Sequence, residues 1–327
     1  MHDLVAIGEV MLRLSIPSPA RFETARQLDV QIGGAEANVA AACARLGLRA
    51  AWMSALPANP WGVRIRRELS GHGVDCAYVR SIDDARLGVY FMEFGAPPRP
   101  IRVLYDRRDS AFARLIPEMF DWEPVRRARC VHVSGITPAL GPGPQRIVEQ
   151  VLQEAQAVSF DVNYRAALWS PADARAFAER VLPTARHVFL GQSEAETVFG
   201  LTGAPEATVE ALARLAPQAS VALLQGEAGS LVLDGGRLFR PTRRHTVQVV
   251  DPIGAGDAFV AGFLWATLGG RDAQAAGDAG TAVAALKCST WGRKLPRLVD
   301  SSRLDFPGPR RCPCESHDSR RARSSAS

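Results

Sequence analysis

The chain has 327 residues, 47% of them apolar and 22% charged, with a net charge of +5. That length fits one large α/β domain or two smaller ones, and the apolar share excludes a mostly disordered chain. The most apolar runs, such as 259–268, fall short of the ~20 residues of a spanning helix, and Met1-His2-Asp3-Leu4 lacks the pattern of a secretory signal, so a cytoplasmic protein without membrane contact is expected.

In chain order, Asp3–Gly8 is a short apolar run ending in glycine. Met11–Ile16 and Leu28–Ile32 are strand-like and closely spaced, and Ala35–Leu46 is an alanine-rich helix stopped by Gly47. Ala50–Ala55 reads as a strand and Pro60–His72 as a helix. From Gly88 to Phe94 and Ile101 to Tyr105 two strand-like runs flank a turn with Gly95, Pro97, Pro98 and Pro100, which predicts a hairpin. Further apolar runs at Cys130–Ser134, Val158–Asp161, His187–Leu190 and Val221–Leu224 alternate with helical stretches near 144–156, 171–182 and 205–215. Thr246–Val250 is again strand-like and leads into a helix whose apolar residues Phe259 and Phe263, Val260 and Leu264 recur every four positions. The alternation predicts an α/β fold: a doubly wound, mostly parallel sheet flanked by helices. The segments about 10–16, 27–32 and 86–105 break the rhythm and predict a small β-sheet lid on a body spanning 1–306. A small sheet attached to such a body can close over a substrate.

Pro307–Ser327 holds five arginines (310, 311, 320, 321, 323) against Glu315 and Asp318, so the body carries only +2. That balance argues against a nucleic-acid partner, and the tail's Pro/Ser/Arg composition predicts disorder. Cys43, Cys76, Cys130 and Cys288 stand in apolar contexts without metal-ligand spacing and read as buried thiols. Cys312 and Cys314, with His317 nearby, lack a second ligand pair for a metal.

Two segments carry chemistry. The first is Asp251-Pro-Ile-Gly-Ala-Gly-Asp257, between a strand-like run and a helix. Gly254 and Gly256 allow a tight turn, and amides of Gly254, Ala255, Gly256 and Asp257 at a helix start make an anion site. An aspartate there repels phosphate but suits a general base that takes a proton from an attacking hydroxyl. The alternative is a glycine turn with Asp257 as a helix-start residue. The second is Gly33-Gly34-Ala-Glu-Ala-Asn38, two glycines opening a helix of small residues. Asn38 reads either as a sugar-hydroxyl contact or as a satisfied core amide.

Taken together, about 220 positions apart with α/β elements between them, these segments resemble the ribokinase-like (PfkB) carbohydrate kinase family over roughly residues 3–300. The motifs are most similar to 2-keto-3-deoxygluconate kinases. Gly8-Glu9, Gly88-Val-Tyr90, Tyr105-Asp-Arg107 with Ser110-Ala111, Asp161-Val-Asn-Tyr-Arg165 and Leu168-Trp169 also carry the likeness. The resemblance implies ATP-dependent phosphorylation of a sugar primary hydroxyl with Mg²⁺. It implies Asp257 as base, Gly34, Asn38, Tyr90, Tyr105, Arg107 and Arg165 toward a sugar or sugar acid, and Asn163, Arg165, Gly226, Gly229, Ser230, Gly254 and Gly256 toward ATP. Glu194 would organise the metal indirectly. Arginine suits a sugar carboxylate independently, because its guanidinium binds one as a fork. Fructose, ribose or an inositol-pathway sugar acid are alternative substrates, and a homo-oligomer through the lid would fit the family. The chain departs from the family pattern at Gly191, where an Asn is usual, and at Gly292-Arg293-Lys294, where an acid commonly follows the glycine. No G-x-x-x-x-G-K-[ST] loop and no Gly-x-Gly-x-x-Gly turn after the first strand occur, against a Walker-type kinase and a nicotinamide dehydrogenase. A non-catalytic sugar- or nucleotide-sensing protein on the same fold is the alternative from another class.

Overall fold

In the computed structural model the described residues are 1–16, 20–95, 99–243 and 245–290. The tail, Cys312, Cys314, His317 and the segment Gly292-Arg293-Lys294 lie outside them, as does the expected boundary at 306.

The chain starts with β1 (Leu4–Ile7), an inner strand of the main sheet. It then leaves for the lid as β2 (Met11–Ile16) and β3 (Asp29–Gly33), and returns as helix α1 (Ala35–Arg45). Next come β4 (Ala50–Pro57), α2 (Pro60–Gly71) and β5 (Val79–Ile82). A second excursion makes β6 (Val89–Glu93) and β7 (Arg102–Asp106). After the short α3 (Glu123–Arg127), strand and helix alternate: β8 (Cys130–Ser134), α4 (Pro142–Glu154), β9 (Val158–Asp161), α5 (Pro171–Val181), β10 (His187–Gly191), α6 (Gln192–Phe199), α7 (Pro205–Leu215) and β11 (Ser220–Leu224). The hairpin β12 (Ser230–Asp234) and β13 (Arg237–Phe239) closes the sheet, and α8 (Ala255–Leu268) and α9 (Ala273–Cys288) follow.

Among the described residues the main sheet has nine strands in the order β13-β12-β11-β10-β9-β8-β1-β4-β5, and the lid four in the order β3-β2-β6-β7. From β11 to β5 every pairing is parallel; β12 and β13 run antiparallel. The inner strands are buried on both faces, which explains their unbroken apolar runs, whereas the edge strands β5 and β13 are largely exposed. In β1, Val5 and Ile7 belong to the core that runs along one face of the sheet and takes in Ile147 and Val148 of α4, Phe177 of α5 and Leu212 of α7. Ala6 belongs to the core on the opposite face, with Ala37 and Ala40 of α1 and Ile65 and Leu69 of α2. The expected doubly wound body and sheet lid are both present, including the β6–β7 hairpin.

Three parts differ from the sequence reading. Thr246–Val250 forms no strand: its β-branched residues find no ladder partner among the described residues, Val249 and Val250 stay 53% and 41% exposed, and the Val250 amide bonds the Cys288 carbonyl at 2.8 Å. The β12–β13 hairpin and helices α6 and α9 add elements that the apolar periodicity did not mark. Cys43, Cys76 and Cys130 are buried free thiols as expected, but Cys288 is only partly buried. No helix among the described residues is long and apolar enough to cross a membrane.

Candidate active site

A parallel sheet gathers its loops at the carboxyl ends of its strands, where a doubly wound fold binds its ligand. Here a cleft of about 530 Å³ opens at that edge, beneath the lid. Met11, Tyr90, Tyr105 and Arg107 line it from the lid side. Asp161, Asn163 and Arg165 after β9, with Gly191 and Glu194 after β10, form another wall. Gly254, Ala255, Gly256 and Asp257 close it at the start of α8.

Gly254 is the residue before α8 and has φ +89°, a left-handed conformation that favours glycine. The turn it permits sets the first amides of an apolar, buried helix against the cleft. Ala255 N–H bends back to the Pro252 carbonyl at 3.2 Å, so the anion-binding capacity rests on the amides after it. Asp257 sits in that first turn, 9% exposed. Its Oδ2 accepts a hydrogen bond from Asn38 Nδ2 on α1. Asn38 is not among the residues lining this cleft; its side-chain amide bonds the carboxylate of Asp257, which gives a polar group on an otherwise apolar helix a partner. Gly34 does line the cleft. A side chain there would put its Cβ 2.1 Å from the Glu9 carbonyl oxygen, so glycine lets α1 begin against the β1–β2 connection.

Tyr90 and Tyr105 are directly paired across β6 and β7, with ring centroids 5.9 Å apart. Arg107 follows β7 and is buried rather than a free fork. Its Nε donates to Glu9 Oε2 at 2.9 Å and its Nη2 donates to the same oxygen, while the guanidinium lies 5.8 Å from the Tyr105 ring centre. Glu9, which follows β1, entered the sequence reading only as part of a motif.

Asn163 adopts φ +41° and donates to Asp161 Oδ2 at 2.9 Å. Burial pushes the Asp161 carboxyl well up, and the charges of Glu194 and Asp257 push the same way against Arg165 and Asn163. The Glu194 carboxyl is also raised, chiefly by burial. It accepts Gly191 N–H at 2.7 Å and Tyr164 N–H at 2.8 Å, so it shapes two loops at once. Asp161 lines the cleft although no role was assigned to it from the sequence; its signal is an acid closing an apolar strand run. No group of three His, Cys, Asp or Glu side chains among the described residues is close enough to hold a metal alone. A side chain at Gly191 would meet Glu194 Oε2 at 3.6 Å, an ordinary contact, so its absence leaves the local backbone intact.

Gly226, Gly229 and Ser230 are not in the cleft lining. Gly226 begins a short 3-10 turn. Ser230 is buried as the first residue of β12, where it pairs with Leu224 and turns its hydroxyl toward Thr281 at 3.4 Å. The antiparallel hairpin that the sequence did not reveal thus takes this serine into the sheet.

A carboxylate in the first turn of a helix, facing a cleft beside helix-start amides that can receive an anion, suits a general base next to a bound phosphate group. A model of the pfkB family carbohydrate kinases matches residues 1–297. The chain is 40% identical over 294 residues to a 2-dehydro-3-deoxygalactonokinase of Haloferax volcanii, covering 89% of this chain and 92% of that one. It is 32% identical to a 2-dehydro-3-deoxygluconokinase of Thermoproteus tenax, over 89% and 90% of the two chains. The crystal structure of 2-dehydro-3-deoxygluconokinase from Thermotoga maritima superposes with a TM-score of 0.84 at 33% identity, covering 90% of this chain and 95% of that one. The chain belongs to the pfkB family and is a sugar kinase.

Proposed function

We propose that the protein transfers the γ-phosphoryl group of ATP to the primary hydroxyl of a 2-keto-3-deoxy sugar acid, 2-keto-3-deoxygluconate or its galactonate epimer. The relatives named above act on such acids by their names, and the galactonate enzyme has the higher identity of the two curated relatives. The observation that carries the reading is Asp257 at the start of α8, in one cleft with Arg107 and Arg165. Two guanidinium groups suit a carboxylate-bearing substrate.

In this reading the Asp257 carboxylate takes the proton of the attacking hydroxyl. The hydroxyl oxygen forms its bond to the γ-phosphorus as the bond to the bridging oxygen of ADP breaks. The amides at the start of α8 stabilise charge on the group in transit. Asn38 orients Asp257, and the lid excludes water. Mg²⁺ would neutralise phosphate charge. It commonly takes one or two carboxylates, with substrate phosphates and water completing its shell, which suits Asp161 and Glu194. A cytoplasmic location and pairing of copies through the lid belong to the same proposal; Leu104 on the edge strand β7 is 52% exposed.

The test is ADP release with ATP and Mg²⁺ over both keto-deoxy acids, a 5-keto-2-deoxy sugar acid, fructose and ribose. The expected outcome is a kcat/KM at least tenfold higher for one of the two keto-deoxy acids. A preference for fructose or ribose would overturn the sugar-acid reading, and no ADP release with any sugar would favour the sensing role.

A further inference from the structure

The most deeply buried charge of the lid is Arg13, in the middle of β2, and its partner lies 238 positions away in the loop that leads to α8. Arg13 Nη1 donates to Asp251 Oδ2 at 2.9 Å, and both side chains are 0% exposed. Arg13 Nε donates to Ser15 Oγ at 2.8 Å, and the guanidinium lies 5.2 Å from the centre of the Phe94 ring. Asp251 is gripped from two further directions. Its Oδ1 accepts the Ile253 amide at 3.0 Å, and its carbonyl accepts Lys287 Nζ from α9 at 2.7 Å. Ile253 packs against the lid residues Met11, Tyr90 and Met92. The next residue, Gly254, aims α8.

We propose that Arg13 is a positioning residue for phosphoryl transfer: from the lid it fixes Asp251 and, through the Asp251–Ile253 turn, the direction of the α8 N-terminus. The inference rests on the reading of that N-terminus as the phosphoryl site. Removing a charge from water is expensive, and an ion pair between fully buried side chains is a weak source of stability compared with apolar packing of the same volume. Arg13 Nη2 is buried with no partner among the described residues, so the guanidinium is not fully satisfied by its surroundings. Its placement is explained by what it joins. β2 carries both Arg13 and Met11, which lines the cleft, and Asp251 begins the segment that ends at Asp257. A lid displaced from the cleft would release Asp251, and a seated lid restores the turn. The aim of the helix amides is thereby linked to lid position.

The experiment compares the wild type with Arg13→Lys, Arg13→Met and the double variant Arg13→Met/Asp251→Leu, each well below its own melting temperature. The double variant removes both charges and keeps the chain folded if Arg13→Met alone does not fold. Sugar phosphorylation is measured as separate kcat and KM, and binding of ADP alone is compared with ADP plus aluminium fluoride, a mimic of the phosphoryl group in transit. The expected result is a kcat 10- to 100-fold lower in Arg13→Met and in the double variant, a KM for the sugar within threefold, partial recovery in Arg13→Lys, and weakened binding of ADP with aluminium fluoride but not of ADP alone. A folded double variant with wild-type kcat would overturn the proposal, as would equal loss of ADP and of ADP with aluminium fluoride. A wild type that phosphorylates no sugar would overturn the proposed function, and with it the premise on which this inference rests.

Discussion

Arg107 and Glu9 meet on one carboxylate oxygen, Glu9 Oε2, which joins the end of lid strand β7 to the end of β1 in the main sheet. Arg107→Ala therefore removes two things: a cationic group of the cleft, and the partner of a buried carboxylate. Breaking one side of such a pair costs about 3–5 kcal/mol of stability. Losing a charge-assisted bond to a substrate carboxylate costs about 1.5–3 kcal/mol, or roughly 10–150-fold in kcat/KM. The double variant Arg107→Ala/Glu9→Gln separates the two. It should regain much of the melting temperature while kcat/KM for the sugar acid stays low. Recovery of both together would make Arg107 a purely structural residue.

Asp257→Asn keeps size and removes the base. General base catalysis is worth about 10²–10⁴-fold, so kcat should fall by that order with little change in ATP affinity. Activity within threefold of wild type would remove Asp257 from the role of base.

Asn38 touches Asp257 rather than lining the cleft. Asn38→Ala should accordingly lower kcat, roughly tenfold or more for a lost hydrogen bond to a charged group, and leave the sugar KM near its wild-type value. A KM that rises more than kcat falls would restore Asn38 as a direct sugar ligand.

Burial holds His132 down at about 3 and His187 at about 4, against an ordinary value of 6.5. Each stays neutral when folded and binds a proton when unfolded below pH 6.5. Their stability is therefore intact above pH 6.5 and is lost as the pH falls from there toward 4 and then 3, at roughly 1.4 kcal/mol per pH unit for each histidine. The raised carboxyls of Glu36, Asp161 and Glu194 act with the opposite sign, so the variant difference is the measurement that counts. His187 stands edge-on to Phe263 at 5.6 Å, and His187→Phe removes its titration. Urea unfolding at pH 7.5 and 5.0 should show the variant losing roughly 2 kcal/mol less than wild type between the two. Equal losses would place His187 outside the acid response.

At Gly262 on α8 a methyl group would lie 2.6 Å from the Ala279 carbonyl of α9. Gly262→Ala should destabilise the fold by about 1–3 kcal/mol through overpacking. An unchanged melting temperature would show that the two helices can part without penalty.

The parallel strands were legible because burial on both faces writes an unbroken apolar run, as in Val158–Asp161 and His187–Gly191. Asp257 and its glycines were legible because a glycine turn before a buried helix is a local pattern. Glu9 with Arg107, Arg13 with Asp251 and Asn38 with Asp257 were not, since each pair joins positions 98 to 238 apart and no spacing rule reports such contacts. Thr246–Val250 misled because β-branched content marks a strand only where a ladder partner exists. The place of Ser230 as first residue of β12 was not legible either, because it is set by antiparallel pairing with β11 and not by any local pattern.

The lid is made of two separate excursions, β2–β3 between β1 and α1, and β6–β7 between β5 and α3. Four covalent strands of backbone thus cross between lid and body. A protease that nicks either excursion at its tip leaves β2 tethered through β1, or β3 through α1, and likewise for β6 and β7. No single cut can release a lid fragment. A chain nicked once should separate into two pieces only under denaturing conditions, with the cover over the cleft still attached at both sides of the break.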